Sequence, residues 1–138
     1  MNKKIYILGG SQSDFSTNWT RSEKSLFDIF CEVVLNGLED AKLDPKDIDV
    51  GHVGNFVAEL FTGQGMLGGY FGHVHEDFSG MPSSRHEGAC ASGSLAILAA
   101  MSDLESGRYE TACVVGVELM KNVPATVAAK NLGAAAWV

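Results

Sequence analysis

Cys90 is the residue of this chain whose type and setting could support covalent chemistry. Small residues flank it from Gly88 to Ser94, and a long apolar run follows directly. This pattern predicts a strand, a tight turn and a buried helix, with Cys90 at the helix entrance. Unpaired N–H groups at a helix start favour the thiolate, which is the nucleophilic form of cysteine. Free cysteine is also among the most buried residue types, so position alone leaves a nucleophile and a small core residue equally open.

His86 lies four residues before Cys90 and is a candidate partner for the thiol. A strand residue at that spacing need not point at the thiol, and geometry decides such an assignment, so we give His86 no catalytic role. Gly88 and Gly93 flank the cysteine. We assign both to close backbone packing around the nucleophile rather than to ligand binding.

Two other patterns resemble ligand sites without completing them. His73 and His75 alternate ahead of two acidic residues, but no convincing set of further ligands accompanies them, which favours a solvated polar loop. Gly63, Gly65 and Gly68 have the spacing of a dinucleotide-binding loop, but they lack its strand–turn–helix context. We therefore predict no metal site and no nucleotide-binding loop.

Composition limits the classes of function that remain. The chain has 138 residues, of which 46% are hydrophobic and 20% charged, so one ordinary domain with a core can form. The net charge of −7 argues against a broad nucleic-acid interface, which needs a basic face. No apolar run has the length of a signal peptide core or a membrane span. We expect no nucleic-acid partner and no membrane partner.

The three cysteines are an odd number without metal-type spacing, which indicates a reducing compartment. We expect the cytoplasm, with the peroxisome or mitochondrion as alternatives if the source is eukaryotic. Besides Cys90, the cysteines are Cys31 and Cys113, and both are predicted to be structural.

Hydrophobic patterning predicts alternating strands and helices. The predicted strands are 5–8, 52–57, 83–87 and 112–117, and the predicted long helices are 22–41, with a weak capping box from Ser25 and Asp28, and 91–106. Residues 63–72 could be a glycine-weakened helix or a loop, and a short helix could begin at Ala125. This order implies a mostly parallel sheet covered by helices on both faces, with its active crevice at the carboxyl ends of the strands. Cys90 follows the third strand and is expected on that edge.

The helix predicted over 91–106 is apolar on nearly every face. Such a helix belongs inside a multilayer protein, and the predicted elements hardly provide layers on both of its sides. The apolar segment 133–138 has no polar cap. We therefore expect this chain to be a piece of a larger protein, produced by engineered truncation, by cleavage or by a split gene.

Two segments of the sequence are specific enough to suggest a family. They are Gly88-Ala-Cys-Ala-Ser-Gly-Ser-Leu-Ala96 and, after one predicted helix, Val-Gly-Val-Glu-Leu-Met at 115–120. With these segments the sequence resembles the thiolase superfamily. Residues 41–49, the strand around Gly54 and the later Gly63-Gln64 are also similar, so the resemblance covers nearly the whole chain. The segment 120–136 is closer to sterol-carrier-protein-type and archaeal-type thiolases than to degradative ones.

The resemblance implies a thiolase-like layered α/β fold, with a mostly parallel sheet and an incomplete N-terminal half. Residues 1–120 would be a partial N-terminal domain, and residues 121–138 the start of the loop domain. Cys90 would carry the acyl group in a transfer between acyl-CoA thioesters, and its backbone N–H would form part of the oxyanion hole. Coenzyme A thioesters would be substrates, with no covalently bound cofactor. Thiolases carry their catalytic histidine and second cysteine beyond the matching region, so we expect the isolated chain to be inactive.

Partners and alternatives also follow from the resemblance. Thiolases are dimers or tetramers that pair the strand before the nucleophile, which is 83–87 here. The other implied partner is the remainder of the thiolase chain or a complementary chain. A ketoacyl synthase or a hydroxymethylglutaryl-CoA synthase relative remains open, although the Cys-Ala-Ser-Gly-Ser flank favours thiolase. A non-catalytic thiolase-like scaffold subunit is the third alternative.

Overall fold

The computed structural model describes residues 4–137, and a three-stranded parallel sheet lies at its centre. The sheet order is β2–β1–β3, with β1 at Val50–Gly54, β2 at Ser83–His86 and β3 at Ala112–Gly116. The helices are α1 Leu26–Ala41, α2 Ala58–Thr62, α3 Phe71–Val74, α4 Ser92–Glu105 and α5 Ala125–Leu132. Short 3-10 turns occupy Pro45–Asp47, Leu67–Tyr70, Glu76–Phe78, Ala89–Ala91 and Gly133–Ala135. The predicted α/β class with a parallel sheet is confirmed.

The central strand β1 is buried along its whole length because elements cover both faces of the sheet. On one face α4 lies across the strands, and His52 of β1 points towards it. On the other face the ring of Phe71 rests directly on Gly51. Phe71 in turn packs edge-to-face on Phe30 of α1, with ring centroids 5.0 Å apart. The core therefore joins α1, α3 and the sheet, and α4 forms the opposite layer.

Helix α1 begins where its capping chemistry places it. The Ser25 hydroxyl accepts the backbone N–H of Asp28, and the Asp28 carboxylate accepts the N–H of Ser25. This capping box confirms the predicted one. The prediction of a start at residue 22 is wrong, because Glu23 has a positive φ of 55° and Ser25 is extended.

The first predicted strand, at 5–8, is wrong. These residues form no strand, and Ile7 and Leu8 are 95% and 61% exposed. Gly9 packs instead on the end of α1 at Ala41, and Gly10 donates its N–H to Asp40 Oδ2 at 2.9 Å. A strand needs a neighbouring strand to pair its backbone groups, and this segment has none within residues 4–137.

The other predicted elements exist with shifted ends. The strand predicted over 52–57 is observed at 50–54, the one over 83–87 ends at His86, and the one over 112–117 ends at Gly116. Residues 63–72 were predicted to be either a helix or a loop, and they contain both. Residues 63–66 form a loop, which leads into the 3-10 turn Leu67–Tyr70 and then into α3. The short helix from Ala125 is confirmed, and residues 91–106 are helical over 92–105.

The predicted elements were expected hardly to provide layers on both sides of α4, and within the described residues they cover one side only. The sheet-facing residues Ala96 and Ala100 of this helix are buried. Leu95, Ile97, Leu98 and Met101 are between 37% and 56% exposed, because α4 has the sheet on one side and no second layer on the other within residues 4–137.

The first turn of α4 sits on the carboxyl end of β1 through a backbone-to-backbone contact. A Cβ added to Gly54 would lie 2.7 Å from Cα and N of Gly93, so only glycine fits at position 54. A Cβ on Gly93 itself would meet open space, so the close packing assigned to Gly93 is made by its Cα. The predicted close packing at Gly88 agrees with the structure, since a Cβ there would meet Leu95.

Replacing Gly54 by alanine should therefore separate α4 from β1. We expect Gly54→Ala to lower the free energy of unfolding by about 1–3 kcal/mol, as overpacking typically does. Gly116→Ala is the matched control, because Gly116 pairs with Gly54 in the sheet and a Cβ there would meet nothing within 4 Å. Urea unfolding followed by circular dichroism measures both. Equal free energies of unfolding for Gly54→Ala and Gly116→Ala would contradict the tight packing of Gly54 on Gly93.

Candidate active site

Cys90 lies in the 3-10 turn Ala89–Ala91, between the carboxyl end of β2 and the start of α4. Its side chain is exposed. Ala89 has a φ of +50°, which is a left-handed conformation that non-glycine residues rarely adopt. This residue turns the chain from the strand into the helix, so the thiol stands at the carboxyl edge of the sheet, where α/β proteins bind their ligands.

The turn is held by a set of short hydrogen bonds that sequence reasoning did not find. The Ser92 hydroxyl accepts the N–H of Gly88 at 3.0 Å and donates to the carbonyl of Ala89 at 2.7 Å. The Glu87 carboxylate accepts the N–H of Ala89 at 2.6 Å. The N–H of Ala91 donates to the carbonyl of Gly88 at 2.9 Å. Ser92 is 5% exposed, so its two bonds are shielded from water.

The backbone N–H of Cys90, unlike those of Gly88, Ala89 and Ala91, has no hydrogen-bond partner among residues 4–137. An unpaired N–H beside an exposed thiol is the arrangement that stabilises an oxyanion formed by attack of that thiol. The turn can therefore supply both a nucleophile and a hydrogen-bond donor.

The carboxyl ends of β1 and β3 are joined by the buried Asn55 and the half-buried Glu118. Asn55 is 1% exposed and donates from Nδ2 to the carbonyl of Val117 at 2.7 Å and to Glu118 Oε1 at 2.9 Å. Glu118 Oε2 accepts the N–H of Phe56 at 2.9 Å, and Asn55 Oδ1 accepts the N–H of Ala58 at 3.0 Å. These bonds fix the edge of the sheet next to the Cys90 turn.

Arg85 fixes the same edge from β2. Its guanidinium donates to Glu59 Oε2 at 2.8 Å and to the carbonyl oxygens of Phe56 and Gly65, the latter at 3.1 Å. The hydrogen bond from Arg85 is the main cause of a lowered pKa of Glu59. The arginine thus ties β2 to the segment that follows β1.

His86 is engaged away from the thiol. Its Nε2 lies 2.9 Å from Nδ1 of His52 and 2.9 Å from the hydroxyl of Ser84. His52 is 3% exposed, and its Nε2 lies 3.3 Å from Asp103 Oδ2 on α4, at an angle too poor for a good hydrogen bond. The described contacts of His86 thus support its exclusion from catalysis, which remains a prediction.

The buried His52 should make stability depend on pH. Burial is the main cause of its lowered pKa, the charge of His86 adds to it, and Asp103 opposes it. A histidine with a lowered folded-state pKa binds its proton more readily in the unfolded chain, so stability falls as the pH drops through the unfolded-state pKa near 6.5.

We expect the free energy of unfolding to decrease between pH 7.5 and pH 5.5. We expect His52→Gln to flatten that decrease, because the substituted side chain does not titrate. Urea unfolding at a series of pH values measures both slopes. His73→Gln serves as the control, since His73 is exposed. An unchanged slope in His52→Gln would contradict the assignment.

The remaining cysteines differ from Cys90 in their surroundings. Burial raises the pKa of Cys113 to about 11, and burial together with the charge of Asp28 raises the pKa of Cys31. Both are partly buried. The predicted structural roles of these two thiols agree with their positions.

Iodoacetamide at pH 8 should therefore modify Cys90 first. A thiol of pKa about 11 is ionised in only about one molecule in a thousand at that pH, and the thiolate is the reactive form. Peptide mass spectrometry over a time course measures the order of labelling, and Cys113 in the same chain is the internal control. Labelling of Cys113 as fast as Cys90 would contradict the structure.

The two incomplete ligand patterns gain no further ligand or motif context from the described structure. Among residues 4–137 no group of three or more His, Cys, Asp and Glu side chains could hold a metal ion. His75 accepts the N–H of Asp77. The glycines at 63, 65 and 68 follow a helix rather than a strand, so they lack the context of a dinucleotide loop. No helix within the described residues has the length and apolar character needed to cross a bilayer.

These features define a class of protein: a parallel α/β domain that presents an exposed cysteine at a helix entrance, on the carboxyl edge of its sheet. Residues 5–136 match the family described as Thiolase, N-terminal domain, and the chain belongs to that family. The resemblance inferred from the sequence is thereby confirmed.

Two curated relatives are archaeal proteins named acetyl-CoA acetyltransferase. The chain is 39% identical over 121 residues to the one from Methanocaldococcus jannaschii and 33% identical over 121 residues to the one from Methanothermobacter thermautotrophicus. Each alignment covers 88% of this chain and 30% of the relative. The chain therefore spans less than a third of the length of the curated relatives it matches.

Proposed function

We propose that Cys90 is the nucleophile of a thiolase-type acyl transfer between coenzyme A thioesters. The observation that carries the proposal is the exposed Cys90 thiol beside its own unpaired N–H, at the carboxyl edge of a sheet in a thiolase-family chain. The names of the two relatives support acetyl-CoA as a substrate. Coenzyme A thioesters are substrates in this proposal, and no covalently bound cofactor is required.

The first half-reaction uses groups of this chain. The Cys90 thiolate attacks the carbonyl carbon of an acyl thioester and forms a carbon–sulfur bond. The N–H of Cys90 donates to the resulting oxyanion, a type of interaction worth about 2.7–4 kcal/mol per donor in measured cases. Collapse of this intermediate expels the coenzyme A thiolate and leaves the acyl group on Cys90.

The second half-reaction joins the acyl group to the carbanion of acetyl-CoA. The new carbon–carbon bond gives a 3-ketoacyl-CoA and releases the Cys90 thiolate, and the reverse reaction is thiolysis. Within residues 4–137 no histidine or second cysteine is hydrogen-bonded to Cys90, and the nearby His86 is engaged with His52 and Ser84. We therefore propose that the groups that move the protons of this step come from thiolase segments outside this chain and that the isolated chain does not turn over.

Two unpartnered surfaces support packing against such segments. One is the apolar face of α4, formed by Leu95, Ile97, Leu98 and Met101. The other is the outer edge of β3, which has no neighbouring strand within residues 4–137. The proposed partner is the remainder of a thiolase chain or a complementary chain. We call this chain together with those segments the assembled thiolase.

The domain boundary and the oligomer belong to the same proposal. Residues 121–138 are proposed to begin the loop domain, and in the structure Asn122 and Asn131 donate to carbonyl oxygens of α2. The outer edge of β2 is unpaired along the described chain, which supports strand pairing between two copies through residues 83–87. If the assembled thiolase were strictly monomeric, the proposed pairing through residues 83–87 would be wrong.

Acylation of Cys90 in the assembled thiolase tests the central step. Incubation with radiolabelled acetyl-CoA should place one acetyl group on the peptide that contains Cys90, and Cys90→Ala should abolish both this label and thiolysis. Cys31→Ala is the matched control and should retain both, because Cys31 lies on α1 away from the turn. If Cys90→Ala still became acetylated and turned over, the proposal would be wrong.

A further inference from the structure

We infer that Glu87 and Ser92 are positioning residues that leave the Cys90 N–H as the single free donor of the turn. This inference rests on the proposed role of Cys90 as an acyl-accepting nucleophile. The hydrogen bonds of both side chains in the turn go to backbone groups and not to the thiol, so both act through the backbone.

The donors of the turn can be counted one by one. From residue 88 to residue 92 the chain has five N–H groups. Those of Gly88 and Ala89 are taken by the side chains of Ser92 and Glu87. Those of Ala91 and Ser92 are taken by the carbonyl oxygens of Gly88 and Ala89. Only the N–H of Cys90 remains among these five, so an oxyanion at this turn meets one donor in a defined place.

Glu87 holds the strained residue of the turn. Its carboxylate bonds to the N–H of Ala89, whose φ of +50° is costly for a residue with a Cβ. Loss of this bond would free the Ala89 N–H and relax its φ, and the peptide that carries the Cys90 N–H would rotate with it. Ser92 holds the same peptide group from the other side through the carbonyl of Ala89.

The expected effect is on chemistry that needs the donor rather than on the thiol itself. Acetylation of Cys90 by p-nitrophenyl acetate passes through a tetrahedral oxyanion, whereas alkylation by iodoacetamide does not. Both reactions use the thiolate, so a change in thiolate fraction multiplies both rates equally. The ratio of acetylation rate to alkylation rate therefore reports the oxyanion donor alone.

The experiment measures this ratio for the assembled thiolase and its variants, with the Cys90→Ala rates subtracted as background. Glu87→Ala should lower the ratio about tenfold, while Glu87→Gln should stay within about twofold of the unsubstituted assembled thiolase, because its amide oxygen can still accept the Ala89 N–H. Ser92→Ala should lower the ratio about tenfold. Ser94→Ala is the matched control for Ser92→Ala. It should leave the ratio unchanged, because Ser94 is exposed and lies in α4 after the turn.

The outcomes separate this inference from the proposed function. If Glu87→Ala and Ser92→Ala keep the ratio of the unsubstituted assembled thiolase, the positioning role is overturned while Cys90 acylation stands. If Glu87→Gln falls as far as Glu87→Ala, the carboxylate charge rather than the hydrogen bond matters, and the inference is also overturned. If the unsubstituted assembled thiolase is alkylated but not acetylated at Cys90, the proposed function itself fails. Circular dichroism melts show whether each variant is folded.

Discussion

The contact between Gly54 and Gly93 is the constraint on which the site depends. It brings two backbones close enough that a Cβ at Gly54 would overlap α4. The start of α4 is thereby seated on the carboxyl end of β1. Because Gly54 also pairs with His86 at the end of β2, residues 87–91 must pass from β2 to α4 over a short distance. A tight turn with Ala89 in the left-handed region satisfies this geometry, and it leaves Cys90 facing outward.

The surrounding polar groups stabilise this edge as a fixed frame. Asn55 and Glu118 join β1 to β3, and Arg85 with Glu59 joins β2 to the segment after β1. Buried donors and acceptors in native proteins are nearly always paired, and the buried amide of Asn55 follows that rule. The N–H of Cys90 has no protein partner within residues 4–137, and because Cys90 is exposed this donor is open to a ligand. A free donor on a fixed edge is what a site for a developing negative charge requires.

Local signals in the sequence were sufficient for part of this picture. The capping box of Ser25 and Asp28, the alternation of strands with helices, and the apolar run after Cys90 each depend on neighbouring residues. They predicted α1, the parallel sheet and the place of Cys90 on its carboxyl edge. The thiolase resemblance supplied the chemistry, which composition and spacing could not.

Features that depend on distant residues could not be predicted in the same way. Asn55 and Glu118 are 63 residues apart, and no periodicity links them. The apolar residues at 5–8 have the composition of a strand, but composition does not say whether a neighbouring strand exists. The apolar surface of α4 indicated a helix of a multilayer protein, but it could not show which of its faces the elements of residues 4–137 leave uncovered. The roles of Glu87 and Ser92 became visible only from the hydrogen bonds of the folded turn.

The most direct measurement is a crystal structure of the assembled thiolase with an acetyl group on Cys90. The acetyl carbonyl oxygen should lie about 2.7–3.1 Å from the backbone nitrogen of Cys90, as a donor aimed at a developing oxyanion requires. Glu87 should still hold the N–H of Ala89 in that structure. An acetyl group on another residue, or a carbonyl oxygen turned away from the Cys90 N–H, would contradict the role assigned to this turn.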